Sequence, residues 1–220
     1  MSKEIDNLFI DVRYAFRLLK DYQNKVLEII YYIKDKTSFG NILGSRHGFF
    51  DPIKGTKGNN YAKLNIFQTM WGWDFLYGYI FEYYFGKIKV EGKNIKLSVF
   101  QISDDGCFIS EINQAKIWRT KDFASVEKSH SYFVFNINVC VSDHSKHWIS
   151  KNKVDTRGAL EQFLASEDDR YIYQDSSLGE INILKRYEMQ RFETLVGVDE
   201  VLLDLNRIVQ EYACVKIFEI

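Results

Sequence analysis

Proline is nearly missing from this chain. Pro52 is the single one among 220 residues, so few rigid breakers interrupt it and long regular elements are permitted. Cysteine is scarce too. Cys107, Cys140 and Cys214 are odd in number and far apart, which excludes a C-x-x-C zinc ribbon and argues against a disulfide framework. They read as reduced, buried thiols of a cytoplasmic protein. The N-terminal MSKEIDNLFIDVR carries acids where a signal peptide needs an apolar run, so no export signal is expected. No P-loop, G-x-G-x-x-G, G-x-S-x-G or zincin motif occurs, and no cofactor or resident metal is expected.

A clean membrane span is also lacking. Residues 66–86 are long and apolar enough to raise the question, but Gln68, Asp74 and Glu82 interrupt them. Their aromatics fill the centre, whereas membrane helices keep these at the interfaces. Charge of one sign is not in excess, because the net charge is −1. It is unevenly spread: residues 155–220 hold 7 Lys or Arg against 14 Asp or Glu, and the earlier residues carry the opposite excess. With no dense charge block, mutual attraction of two halves explains this better than a nucleic-acid face.

What is abundant is aromatic side chains, at 16%. From Trp71 to Phe85 every odd position is aromatic: Trp71, Trp73, Phe75, Tyr77, Tyr79, Phe81, Tyr83 and Phe85. A period of two is that of a strand, whose side chains alternate between faces. The run predicts a long strand over 71–90, bent near Gly78 or Gly86, with one aromatic face covered by helices. Exposing such a face would forgo roughly 1.5–3 kcal/mol per ring. Glu91-Gly92 is a turn signal and residues 95–102 read as the returning strand. Residues 131–141 form another, with Phe133, Phe135, Ile137 and Val139 on a dry face and Asn136 and Asn138 on a polar one. That pattern fits an antiparallel sheet covered on one side.

Ahead of the sheet, residues 3–36 predict a helix of roughly 50 Å. Ile5, Phe9, Val12, Phe16, Leu19, Val26, Ile30 and Ile33 recur at alternating spacings of four and three, with Gln23 filling the one gap. This is a heptad seam, and a lone polar residue in such a seam often sets register or partner. The seam suits either the protein's own sheet or a second helix.

Behind the sheet, helices are expected over 155–166, 178–194 with a break at Gly197, and 199–214, with a short strand at 171–174. The expected fold is α+β. It is a single domain over 1–220: a long N-terminal helix over 1–36, a glycine-rich loop over 37–60, an antiparallel sheet of about four strands within 71–141, and a helical C-terminal part over 155–214.

Three places invite chemistry. His130, Asp143, His144 and His147 put imidazoles beside a carboxylate, a pattern able to hold a metal or move protons. Asp104, Asp105 and Glu111 form an acidic strand edge of the kind a metal-dependent phosphodiesterase uses. Arg46, His47, Lys54 and Lys57 lie in the glycine-rich loop, where backbone amides and cations can grip phosphate or nucleic acid. Each also has an ordinary reading as solvated loop.

The leading expectation is therefore a non-enzymatic interaction or assembly protein. Its composition, rich in Lys, Asn, Ile and Tyr and poor in Pro, suits an AT-rich microbial or phage genome. Ile5, Phe9, Val12, Phe16, Leu19, Gln23, Val26 and Ile30 would bind a protein partner or a second copy. The alternative is a metal-dependent hydrolase or nuclease-like enzyme acting on nucleic acid or a phosphate-containing ligand.

Overall fold

A computed structural model describes residues 2–40, 42, 79–108, 122–140, 157–176 and 179–220. The heptad-patterned segment forms α1, Ser2–Asp35. The strands are β1 (Ile80–Val90), β2 (Lys93–Ile102) and β3 (Tyr132–Cys140). After them come α2 (Arg157–Leu164), β4 (Arg170–Asp175), β5 (Glu180–Glu188), a 3-10 turn (Met189–Phe192) and α3 (Leu195–Ala213). All pairings are antiparallel, in the order β1-β2-β3-β5-β4. The α+β expectation holds, with five strands in the sheet.

The extra strand is β5. Residues 178–194 were expected to be helical. The strand period wins. Ile183 and Tyr187 face the main core while Asn182 and Leu184 face the other way. The expected C-terminal helical block is therefore interrupted by a β4–β5 hairpin. Gly197 does not break a helix either, for it sits in the first turn of α3. Its amide donates to the Thr194 N-cap hydroxyl at 3.1 Å. A Cβ there would lie 2.2 Å from the Arg191 carbonyl oxygen, so only glycine lets the 3-10 turn approach so closely. Cys107 and Phe108 lie in a turn, and 109–112 lies outside the described residues.

Within β1, Phe81, Tyr83 and Phe85 are buried in the main core, as the aromatic period requires. Trp71 to Tyr77 lie outside the described residues, and Tyr79 is partly exposed. At Gly86, with φ 95°, a bulge shifts the register: Tyr84 pairs with Ser98, but Lys87 pairs with Lys96. An inserted residue reverses which parity faces the core. Ile88 and Val90 therefore pack on the core after the bulge, and Lys87 and Lys89 turn to the opposite face. The Glu91-Gly92 turn has both central residues at positive φ, 47° and 80°, the two-residue geometry that matches strand twist.

The core-facing side of the sheet is covered by α3 and by the second half of α1. Val26, Leu27, Ile30 and Ile33 meet Val198, Val201, Leu202 and Leu205 in one cluster with the strands. Tyr32 Oη donates to Asp199 Oδ1 at 2.8 Å, locking α1 to α3. On the reverse side, Leu160, Phe163 and Leu164 of α2 close a smaller cluster over Phe100, Ile102, Val134 and Leu184.

Candidate functional site

The long helix changes character at Gln23. Beyond it α1 is core. Before it the same seam lies open: Phe9 is 55% exposed, Val12 42%, Phe16 38% and Leu19 39%, with Leu8 beside them at 59%. Geometry explains the division. Thirty-four helical residues reach roughly 50 Å, whereas the ten residues of β2 reach roughly 33 Å. The helix outruns the sheet that it packs on.

Gln23 marks where the sheet ends, and it is buried in a closed polar network. Gln101 Nε2 donates to Gln23 Oε1 at 3.2 Å and to Ser103 Oγ at 3.2 Å. Tyr83 Oη donates to Gln101 Oε1 at 2.9 Å, and Tyr22 Oη reaches Ser103 Oγ at 3.4 Å. Buried polar groups that satisfy one another fix a unique arrangement. Here they fix the register of α1 on its own sheet. Gln23, Val26 and Ile30 were expected to bind a partner; they are instead committed to the protein's own core. Phe9, Val12, Phe16 and Leu19 are each more than a third exposed, and the side chain of Ile5 lies outside the described residues.

Of the residues expected to carry chemistry, the fold joins two. Asp105, 2% exposed, accepts the His130 backbone amide at Oδ1 at 2.7 Å, and its Oδ2 lies 3.8 Å from His130 Nδ1. Burial raises the Asp105 pKa above the ordinary carboxylate value, partly opposed by the amide it accepts and by nearby His130 and Arg186. Asp104 is spent on its own turn, Oδ1 accepting from the Gly106 amide at 2.8 Å. A buried carboxylate beside an imidazole can orient it for proton transfer. At 3.8 Å, however, the side chains are beyond hydrogen-bond reach. The flanking hydroxyls of Ser129 and Ser131 donate to the carbonyls of Ser125 and Ser103. The pair therefore ties together the two ends of the connection between β2 and β3. Glu111, Asp143, His144 and His147, and likewise Arg46, His47, Lys54 and Lys57, lie outside the described residues. Among the described residues no group of three His, Cys, Asp or Glu is placed to hold a metal ion.

A pH dependence follows from Asp105. A carboxyl whose pKa is raised by folding favours the fold below its unfolded pKa, and that contribution is lost as pH rises through the folded value. Above that window the buried anion opposes folding. Asp105→Asn keeps an acceptor for the His130 amide and removes the charge. The variant is expected to melt higher than wild type at pH 7, with the gap closing as pH falls toward 4. Thermal melts across that range check it.

One feature escaped the sequence reading. The polar face of β3 was expected to meet solvent, yet it is buried. Glu82, Lys96, Ser98, Asn136, Asn138 and Asn182 are each 9% exposed or less and lie on the face opposite the main core. Register aligns them in rows: Lys87, Lys96, Asn138, Asn182 and Tyr173 across all five strands, and Tyr84, Ser98 and Asn136 in the next row. Ser98 Oγ donates to Glu82 Oε1 at 2.8 Å. Among the described residues, Asn136 Oδ1 and both amide atoms of Asn182 have no hydrogen-bond partner. The strand period showed which residues share this face; nothing in it showed that the face would be covered.

Fold and surface together define an α+β protein whose long N-terminal helix extends past a five-stranded antiparallel sheet. The chain belongs to the PM0109 family, whose model matches residues 2–213. No curated protein and no solved structure matches it. Among the described residues no helix is long and apolar enough to cross a membrane.

Proposed function

We propose that this chain is a non-enzymatic interaction or assembly protein whose docking element is the first half of α1. The observation that supports this reading is the continuation of one heptad seam beyond the core it serves: Phe9, Val12, Phe16 and Leu19 stay exposed where Val26, Ile30 and Ile33 are buried. Monomers seldom leave a contiguous apolar stripe uncovered. A heptad seam is self-complementary in spacing, so the first occupant to test is a second copy. A partner protein presenting its own amphipathic helix is the other. Light scattering of the purified chain is expected to give a mass above the 26.0 kDa of one chain, or a stoichiometric co-purifying protein. Phe9→Glu/Phe16→Glu is expected to return it to a single-chain mass with an unchanged circular dichroism spectrum. A wild-type monomer with no companion over a wide concentration range would refute the reading.

A second reading, an acid–base or metal-dependent enzyme acting on nucleic acid or a phosphate ligand, draws on the Asp105–His130 pairing. It requires a nuclease or phosphatase activity that His130→Ala abolishes without altering the melting temperature.

A further inference from the structure

A cleft of about 700 Å³ opens between the outer face of α3, the end of β1 and the C-terminal segment. Its volume lies within the roughly 300–1,000 Å³ of small-molecule sites. On α3, Leu203, Arg207 and Gln210 recur at spacings of four and three, so they share a face, and all three are exposed. The chain reverses at Cys214, the cap of α3 with φ 51°. Asn206 then pins Ile217 and Phe218. The C-terminal segment therefore runs back along α3, which puts Lys216 toward Arg207 and Gln210, and Ile220 toward Leu203. Ile88 and Val90 of β1, brought to this side of the sheet by the Gly86 bulge, form the remaining wall. The cleft thus has a cationic end and an apolar end.

We propose that this cleft binds a small amphipathic carboxylate, a fatty acid of medium chain length. At the apolar end, Leu203 is 48% exposed and Ile220 46%, and Ile88 and Val90 are only half-buried. One exposed leucine needs no explanation. Four apolar side chains left short of burial around one cavity offer an acyl chain a surface to cover. At the other end, Lys216 makes no ion pair among the described residues. Arg207 Nη1 stands 3.6 Å from Asp204 Oδ1, beyond hydrogen-bond reach, and Asp204 Oδ2 already accepts from Tyr187 Oη at 2.7 Å. Guanidinium, ammonium and the Gln210 amide together are what a carboxylate head requires.

The remaining charges agree with this polarity. Glu219 is the acid of the lining, and its Oε1 accepts from Ser38 Oγ at 3.3 Å. Lys93 Nζ donates to the Ala213 carbonyl, which offsets the partial negative charge at the C-terminal end of α3. Leu203 and Gln210 are seven residues apart, roughly 10 Å along the helix, a span that a medium chain covers with its head at one end and its tail at the other. The head alone would be held only by exposed cations, whose attraction water and salt screen, so chain and head are both needed. None of residues 7–19 lines the cleft, so the inference is independent of the docking role of α1.

The test uses the full chain and four probes, octanoate, 1-octanol, octylammonium and acetate, read by calorimetry and by thermal shift. Octanoate is expected to bind and raise the melting temperature. 1-Octanol and octylammonium, which keep the chain and change the head, should bind at least about tenfold more weakly, and acetate should not bind measurably. Arg207→Gln/Lys216→Gln, both on the surface, should weaken octanoate by about tenfold or more and leave 1-octanol unchanged. Leu203→Asn, checked for native circular dichroism, should weaken both. No binding of octanoate, equal binding of 1-octanol or octylammonium, or unchanged octanoate affinity in Arg207→Gln/Lys216→Gln would each overturn the proposal. So would loss of octanoate binding in Phe9→Glu/Phe16→Glu, because the acyl chain would then lie on the seam of α1.

Discussion

Ile30→Ala is expected to destabilise the protein by about 2–5 kcal/mol, while Phe9→Ala in the same helix and seam shifts the stability of the isolated chain by no more than about 0.5 kcal/mol. Three heptads separate the positions, and the local helical environment is alike. What differs is the surface opposite. Ile30 is fully buried and belongs to the main core, whereas Phe9 is 55% exposed. Truncating Ile30 removes its transfer energy and leaves a cavity between helix and sheet that a close-packed interior fills poorly. Truncating Phe9 removes a side chain already in contact with water. Urea unfolding at a concentration low enough to keep the chain unassembled measures both. Similar costs at the two sites would mean that the first half of α1 is packed as tightly as the second.

Asn206→Ala should be nearly as damaging, at about 2–4 kcal/mol. Asn206 is buried in α3, where a polar residue reads from sequence as a flaw in the apolar face. Its side chain is instead the clasp for the C-terminal segment. Oδ1 accepts the amides of Ile217 and Phe218, each at 3.0 Å, and Nδ2 donates to the Phe218 carbonyl at 2.8 Å. Val215, Ile217 and Phe218 are buried on the core by this clasp. The same segment bridges to Thr37 past the end of α1, and the Glu219 amide donates to the Lys36 carbonyl at 2.7 Å. Alanine would strand three backbone groups at once. Asn206→Asp keeps the acceptor for both amides but turns a carboxylate oxygen toward the Phe218 carbonyl and buries a charge. At pH 7 its cost should be at least that of alanine. An alanine variant as stable as wild type would show that the C-terminal segment is held by its apolar side chains alone.

Much of the fold could be read from periodicity. The heptad spacing of α1 and the Glu91-Gly92 turn each gave an element close to its observed bounds, and of the strand expected over 71–90 the described part is Ile80–Val90. Gly86 was one of two expected interruptions, and it is the bulge. At β5, Ile181, Leu184 and Tyr187 satisfy a helical spacing while Ile181, Ile183 and Tyr187 satisfy a strand spacing. Short segments leave that choice to tertiary packing.

The candidate sites were less legible for a different reason. A seam says which residues share a face, not where the surface covering them stops. Gln23 looked like a device for choosing a partner, and it sets register against Gln101 within the chain. The amides of β3 looked like a solvent face because alternation reports sides of a sheet, not burial. Their row is completed by Asn182 from β5, a neighbour only through the sheet order.

Hydrogen exchange along α1 tests the division of this helix most directly. In dilute Phe9→Glu/Phe16→Glu protein, amides of residues 23–33 should exchange slowly and those of 7–19 rapidly. In wild type at assembling concentration, 7–19 should gain protection while 23–33 stays as it was. Equal, slow exchange along the whole helix in the dilute variant, or no change in wild type with concentration and with any co-purified partner, would contradict the account.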